Sequence, residues 1–325
     1  MVSITLINVL AVVGMATLVS RFTGLLTTIV DTLIRRNPLP KYGAKTGAWA
    51  VVTGCTAGIG EQFAIQLAKA GFNVALIGRN KAKLDALSAN LAAQSPQIST
   101  ASFILDAASP SPQVYEHLAQ WTKNLGSVSI LVNNVGISHE MPVKFAETSE
   151  SEMLEIIKVN NIATLQITKA VLPSLQAYTA SHKGKRGLIL TMGSFAGLAP
   201  SPMLATYSGS KFFLQGWSNA LSTELKPERI DAELVISYLV TSNMSKIRKP
   251  SATTPTASQF VASALSCIGH RGGATERPYT MTPFWSHALI HQAMNIPGVW
   301  STMIADFTLN MHNSIRQRAL KKKNK

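Results

Sequence analysis

Residues 53–60 read Thr53-Gly54-Cys55-Thr56-Ala57-Gly58-Ile59-Gly60. A short β-rich apolar run, 48–52, leads into them, and a helical pattern closed by Gly71 leads out. Glycines between a strand and a helix permit a tight turn and let the backbone approach a pyrophosphate, whose charge then faces the helix N-terminus. The spacing is G-x-x-x-G-x-G rather than the commoner G-x-G-x-x-G of dinucleotide loops. A glycine-rich turn taken alone also has a purely structural reading. Placed at the first strand–helix junction of a series, it reads as a cofactor loop, with contacts at Gly54, Thr56, Gly58, Ile59 and Gly60.

The series continues downstream. Residues 73–77 carry a second strand pattern, and Asn80 caps a helix with Leu84, Leu87 and Leu91 on one face. Strand patterns follow at 101–105 and 128–132, with Ser111 and Pro112 as N-cap and first residue of the helix between them. Ser149 and Glu152 make a capping box before a long amphipathic helix that runs to about residue 175. A strand at 188–191, a helix over 206–225 and a strand at 232–239 complete the pattern. Alternating strands and helices, with strands that are almost continuously apolar, predict an α/β fold built on a doubly wound parallel sheet.

Several strand ends carry chemistry. Gly78-Arg79-Asn80 ends the second strand. A carboxylate there would hold the ribose 2′-hydroxyl of NAD, whereas an arginine suits the 2′-phosphate of NADP, so Arg79 points to NADPH. An arginine at a strand end is also ordinary surface. Asn133-Asn134-Val135-Gly136 follows the fourth strand, at the sheet edge where ligands bind, and reads equally as a simple turn. Tyr207-Ser208-Gly209-Ser210-Lys211 puts a phenol and an ammonium on one helix face. A neighbouring cation favours phenolate and lowers a tyrosine pKa toward the range useful for acid–base work. Y-x-x-x-K alone often arises by chance. Ser194 precedes Tyr207 by thirteen residues, just past the fifth strand.

In this order, TGxxxGIG, NNxG, Ser194 and Tyr207-x-x-x-Lys211 resemble the short-chain dehydrogenase/reductase superfamily over residues 46–250. The resemblance implies that Tyr207 donates a proton to a carbonyl oxygen, that Lys211 lowers the phenol pKa and holds the nicotinamide ribose, and that Ser194 hydrogen-bonds the substrate carbonyl. Asn160 matches the helix asparagine that supports a proton-relay water, with Asn161 adjacent and open to confusion with it. Asp106 matches the residue that contacts the adenine. Asn133 and Gly136 would line the cofactor. Ser242 falls where a threonine often contacts the carboxamide. The family usually has Pro-Gly after the sixth strand; here Ser237-Tyr238 stand there, which leaves the contact open between Thr241 and Ser242.

The 325 residues suit one α/β domain with extensions. Charged residues make up 14%, against about 25% in an ordinary soluble domain, and the hydrophobic share is 46%, which points to membrane contact. Residues 2–20 hold no charge and have about the length that spans a bilayer core. No basic residue precedes them as it would in a signal peptide. Arg21, Arg35, Arg36, Lys41 and Lys45 follow, which places the body of the chain in the cytosol. Residues 22–34 are apolar but contain Asp31 and read as an interfacial helix. The net charge of +14 favours anionic partners, but no basic strand interleaved with aromatics is present, so nucleic acid is not expected. His287, His291 and His312 lack metal-ligand companions, and Cys55 and Cys267 suggest no disulfide framework. The chain ends Lys322-Lys323-Asn324-Lys325, which reads as the dilysine retrieval pattern of endoplasmic-reticulum membrane proteins or as a solvated basic run.

Within the superfamily the chain resembles the microsomal very-long-chain 3-oxoacyl-CoA reductases, in their fungal form and the related 17β-hydroxysteroid dehydrogenase type 12 group. The resemblance rests on the N-terminal anchor, Ser237-Tyr238-Leu239-Val240-Thr241, Met244-Ser245-Lys246-Ile247-Arg248-Lys249 and Pro283-Phe284-Trp285-Ser286-His287-Ala288-Leu289. It implies NADPH-dependent reduction of long-chain 3-oxoacyl-CoA to 3-hydroxyacyl-CoA in fatty-acid elongation. The enzyme would sit in the endoplasmic-reticulum membrane with its catalytic domain cytosolic, partnered by membrane lipid and elongase complex components. A steroid or retinoid dehydrogenase is the rival enzyme; a non-catalytic scaffold would be expected to lack one of Ser194, Tyr207 or Lys211. The expected organisation is an anchor (1–21), an interfacial linker (22–45), the catalytic domain (46–250), a substrate- or membrane-facing part (251–315) and a basic tail (316–325). Within the fourth of these, residues 279–309 read as an interfacial helix pair or as core packing.

Overall fold

The chain opens with a helix, Ile4–Leu33 (α1). The first half of the sheet domain runs Trp49–Thr53 (β1), Gly58–Lys69 (α2), Asn73–Gly78 (β2), Lys81–Gln94 (α3), Thr100–Ile104 (β3), Val114–Leu125 (α4) and Val128–Asn133 (β4). The second half runs Glu150–Ile157 (α5), Ala163–Ser181 (α6), Gly187–Met192 (β5), Ala205–Leu225 (α7) and Ile230–Val235 (β6). Ala257–Cys267 (α8), Thr280–Met281 (β7), Trp285–Met294 (α9) and Thr302–Lys323 (α10) complete it. The structure, a computed structural model, describes residues 4–323. Val2 and Ser3 of the expected anchor, and Asn324 and Lys325 of the retrieval pattern, lie outside the described residues, as do the side chains of Lys322 and Lys323.

Among the described residues seven strands pair in parallel, in the order β3-β2-β1-β4-β5-β6-β7. The strand period of two sends alternate residues to opposite faces. Ala50, Val52, Ile130, Val132, Leu188 and Leu190 pack with Phe63, Leu84 and Phe260 of the helices on one face. Val51, Leu131 and Ile189 pack with Leu118, Ile167 and Val171 on the other. Because both faces are covered, the central strands carry no polar alternation. The strand order reverses between β1 and β4, and their carboxyl ends therefore border a crevice.

Local signals mostly hold. Asn80 Oδ1 accepts the Lys83 N–H at 3.0 Å, and Ser149 Oγ accepts the Glu152 N–H at 3.2 Å. Three details differ from expectation. Ser111 and Pro112 precede the helix rather than start it: Val114 N–H closes a turn on the Ser111 carbonyl at 3.1 Å, and Gln113 occupies the N-cap. The long helix after Ser149 is interrupted by a π-helical turn, Lys158–Ile162, that carries Asn160 and Asn161. The sixth strand ends at Val235, not 239, because residues 237–240 leave the sheet to line a cavity.

At the N-terminus one uninterrupted helix passes Arg21, and Ile7–Leu33 is long and apolar enough to cross a membrane. Its second half docks on the domain through polar residues. Thr28 Oγ1 donates to the Gly272 carbonyl at 3.1 Å. Asp31, the acid in this apolar stretch, turns inward: it accepts the N–H groups of Arg271 and Gly272 at 3.3 and 3.2 Å and pairs with Arg36 at 3.3 Å. A second anchorage joins residues 41–42 to the sheet, where Tyr42 and Arg186 both donate to Asp231 on β6 at 2.8 Å.

Glu233, also on β6, is buried and accepts the Gly269 N–H at 2.9 Å. Burial pushes its carboxyl up to about 8, from an ordinary value of 4.5. The folded state therefore holds an extra proton between those values, and stability falls as pH rises through that interval. His287, lowered by burial from 6.5 to about 4, acts in the opposite sense below pH 6.5. Between pH 6.5 and 8 the unfolding midpoint of the detergent-solubilised wild type should fall more steeply than that of Glu233→Gln; parallel curves would show that Glu233 is not protonated in the fold.

Candidate active site

Gly54 and Gly58 turn the chain from β1 into α2 with φ of 60° and 62°, a region that favours glycine. Gly60 is required for a different reason: a Cβ there would lie 2.3 Å from the Gly54 carbonyl oxygen and 2.4 Å from Asn134 Nδ2. Asn134 clamps the loop, donating Nδ2 to the carbonyls of Thr53 and Gly54 at 3.1 Å each and its own N–H to Thr53 Oγ1 at 2.9 Å. Asn133 instead donates to Thr168 Oγ1 at 2.8 Å, tying β4 to α6, and its buried Oδ1 has no partner among the described residues. Thr56 sits over the end of β2, its methyl 3.3 Å from a Cβ built on Gly78, and Arg79 follows there, exposed. Asp106, half-buried just past β3, accepts the Ala108 N–H at 3.0 Å. Of Thr241 and Ser242, it is Ser242 that reaches the loop: its Cβ lies 3.5 Å from a Cβ built on Gly58, while Thr241 N–H bonds the Pro255 carbonyl at 3.0 Å. The strand ends thus present a backbone-walled cradle with an arginine, a carboxylate and free amide and hydroxyl groups along it, which fits a dinucleotide.

The second half of the site is built on α7. A Cβ on Gly197 would lie 2.7 Å from the carbonyl carbon and oxygen of Lys211, so the turn after β5 packs directly on the helix backbone. Ser208 Oγ fastens that contact, donating to the Ala196 carbonyl at 2.6 Å. The packing seats Ser194 and Tyr207 side by side on the wall of one cavity. Lys211 is buried and donates Nζ to the Met192 carbonyl at 2.9 Å, 5.9 Å from the centre of the Tyr207 ring. Asn160 bonds both the N–H and the carbonyl of Ile137, at 2.8 and 2.9 Å, and donates to Ser210 Oγ at 2.9 Å. Ser210 Oγ in turn donates to the Tyr207 carbonyl at 2.7 Å. A Cβ on Gly136 would lie 3.2 Å from Asn160 Oδ1 and 3.6 Å from Lys211 Nζ, so the three converge. Asn161 points elsewhere, to the Ser210 carbonyl at 2.8 Å, and of the two asparagines it is Asn160 that meets the lysine.

The electrostatics correct one expectation. Burial raises the Tyr207 phenol above its ordinary pKa, and the neighbouring Ser194 hydroxyl offsets only part of that. Burial also lowers Lys211, to about 8. With its Nζ turned to the Met192 carbonyl, Lys211 does not outweigh the desolvation of the phenol. The phenol therefore keeps its proton at neutral pH, which is the form a proton donor needs.

Residues 48–252 match the short chain dehydrogenase family. The chain belongs to that family. The very-long-chain 3-oxoacyl-CoA reductase of Yarrowia lipolytica is 52% identical over 291 residues, covering 88% of this chain and 74% of that protein. The protein of the same name from Meyerozyma guilliermondii is 53% identical over 284 residues, covering 87% and 83%. Among solved structures, a short-chain dehydrogenase from Sphingobium yanoikuyae in complex with NADPH superposes with a TM-score of 0.61 at 22% identity, covering 73% of this chain and 87% of that one. A 7beta-hydroxysteroid dehydrogenase superposes with a TM-score of 0.65 at 18% identity, covering 85% and 99%. These two likenesses are of fold. Together the family match and the relatives make this chain an oxidoreductase.

In this short-chain dehydrogenase, Ser194 and Tyr207 open on a cavity of about 1240 Å³. Ile59 and Ser242 of the cofactor side line it, and α10 contributes Met303, Phe307 and Met311. α10 is held across it by His312, which bonds the Pro202 carbonyl at 2.6 Å, and by Arg316, which donates to the Pro142 carbonyl at 3.1 Å. His287 and His291 are buried and partnered: His287 Nδ1 accepts the Tyr238 N–H at 3.3 Å, and His291 bonds Thr282 and Glu276 at 2.8 Å each. Both cysteines are free and buried. Three residues of the site carry little sequence signal. Asn134 is hidden as the second of a pair, Gly197 falls in a short turn, and His139, buried on the cavity wall with Nδ1 3.2 Å from Glu152, follows no spacing rule.

The glycine positions are separable by measurement. Gly60→Ala forces backbone or Asn134 to move, which should cost about 1–3 kcal/mol and weaken nicotinamide binding. Gly216, exposed on α7 with nothing within 4 Å of its Cβ position, should instead gain about 0.5–1 kcal/mol as alanine. Equal unfolding midpoints for the two variants would contradict the close approach at Gly60.

Proposed function

We propose that this enzyme reduces the 3-oxo group of long-chain 3-oxoacyl-CoA to the 3-hydroxyl, with NADPH, as a step of fatty-acid elongation at the endoplasmic-reticulum membrane. The observation that carries the proposal is the large cavity beside Ser194 and Tyr207, walled by apolar side chains of α10 and bordered by Lys246 and Arg318. It offers an apolar volume for an acyl chain and cations for the phosphates of coenzyme A. The names of the fungal relatives agree with it.

NADPH, when bound, supplies a hydride to the 3-carbonyl carbon. The backbone of Gly54, Gly58, Ile59 and Gly60 would hold its pyrophosphate, with Thr56 beside it. Arg79 would take the 2′-phosphate, Asp106 the adenine, Ser242 the carboxamide, and Asn133 and Gly136 would line the pocket. Ser194 would donate a hydrogen bond to the substrate oxygen and hold it against Tyr207, which gives that oxygen its proton as negative charge builds there. Lys211 would hold the nicotinamide ribose and keep positive potential beneath the phenol, while Asn160, facing it across Gly136, would steady a water that returns the proton.

The same reading places α1 across the bilayer, with the catalytic domain on the cytosolic side and elongation enzymes as partners. Ile296, Trp300, Met303 and Phe307 are 62–78% exposed, an apolar surface beside the cavity that suits contact with lipid. NADPH oxidation in purified microsomes bearing the chain tests the substrate. Long-chain 3-oxoacyl-CoA should be turned over, with rates that rise as the chain lengthens, and estrone or retinal should not be. Turnover of the steroid or retinoid without turnover of the acyl-CoA would overthrow this reading.

A further inference from the structure

A second hollow lies between α1 and the turn at 269–277, at the point where the uncharged run of α1 ends. We propose that it binds an anionic phospholipid, with the phosphate on Arg21 and Arg271 and the acyl chains along α1. The proposal rests on α1 crossing the bilayer.

The charge balance of the hollow leads to this. Two carboxylates line it, Asp31 and Glu276, and both are already engaged. Asp31 holds two backbone N–H groups and the Arg36 guanidinium at 3.3 Å, and His270 Nδ1 lies 3.3 Å from it. Glu276 holds Arg277 at 3.0 Å and His291 at 2.8 Å, and these contacts bring its carboxyl down to about 2. Arg21 and Arg271, both exposed, meet backbone carbonyls: Asn295 O at 3.3 Å and Thr275 O at 2.7 Å. A carbonyl satisfies an N–H but neutralises no charge. Two guanidiniums thus keep their positive charge and spare donors, the arrangement that takes a phosphate in bidentate fashion.

Apolar side chains among the mixed lining suit an amphiphile over a free phosphate. Val13 and Ala16 of α1 line it on the side of the span, and Val299 and Trp300 line it from the domain. Arg21 is the first charged residue after the apolar run, and so lies at the depth of the headgroups when that run fills the bilayer. Trp300 is 69% exposed beside it, as aromatic residues of interfacial belts are. A phospholipid there would wedge between anchor and domain and fix the tilt of one against the other.

The test uses the full chain in neutral detergent and reads its thermal unfolding with phosphatidylserine, phosphatidylcholine or coenzyme A added. Phosphatidylserine should raise the midpoint by about 2–4 °C when in excess over its dissociation constant, and the other two should not. Arg21→Gln and Arg271→Gln should each lose most of that shift, while Arg21→Lys retains part of it and so separates charge from fold. An equal shift with phosphatidylcholine, or a shift that survives both glutamine variants, overturns the site. A coenzyme A shift that the variants abolish assigns the arginines to the substrate's phosphates and overturns it as well. Alkaline carbonate extraction of microsomes reads the span independently: release of the chain sinks the membrane reading, whereas a retained chain with no phosphatidylserine shift sinks the lipid site alone.

Discussion

Lys211 is 6% exposed, and its ammonium is held by a backbone carbonyl, Met192 O, at the end of a central strand. Taking a cation out of water costs several kcal/mol unless its surroundings repay it. Here the cost shows as a pKa brought down to about 8. Much of the site exists to place that charge. Gly197 lets the helix that carries Lys211 press against the turn after β5, and Gly136 leaves room between the ammonium and Asn160. The π turn rotates Asn160 toward the lysine while the bonds to Ile137 lock it there. Ser194 and Tyr207 then meet at the cavity wall because the same turn-on-helix contact that buries the lysine also brings them together.

Around this common frame the chain has built a roof of its own. Where the family usually turns with Pro-Gly after the sixth strand, Ser237-Tyr238 stand, and the Tyr238 N–H bonds His287 of α9. The Tyr238 ring packs on Phe195, 5.0 Å between centres, next to Ser194. Ser237-Tyr238 are thereby coupled to the C-terminal helices that wall the cavity. α10 is fastened on both rims, through His312 to Pro202 and through Arg316 to Pro142, so cavity shape depends on a segment far from the glycine-rich loop in sequence.

What was legible beforehand follows a physical division. Turn chemistry and helix periodicity are local, so the glycine loop, the Asn80 cap, the shared face of Tyr207 and Lys211 and the parallel sheet could all be read from spacing. Contacts between distant segments could not. Asp31 looked like a charge on an interfacial helix, and its partners turned out to be the N–H groups of residues 271 and 272. Asn134, rather than Asn133, proved to be the clamp of the loop, because which side of a strand end each residue faces is decided by the sheet and not by the dipeptide. The direction of the Tyr207 shift escapes the sequence for a similar reason: the charge of Lys211 is visible there, and the burial of the phenol is not. β7 spans two residues, too few for any pattern to announce it.

The central claim is that Tyr207 gives its proton to the substrate oxygen. Its most direct test is NADPH oxidation by Tyr207→Phe with a long-chain 3-oxoacyl-CoA, measured beside NADPH binding by the same variant. Removal of the hydroxyl should lower turnover by about 10²–10⁴-fold and leave NADPH affinity within a few-fold, since the ring and its packing remain. Turnover close to that of the wild type would contradict the account and require another proton donor on the cavity wall.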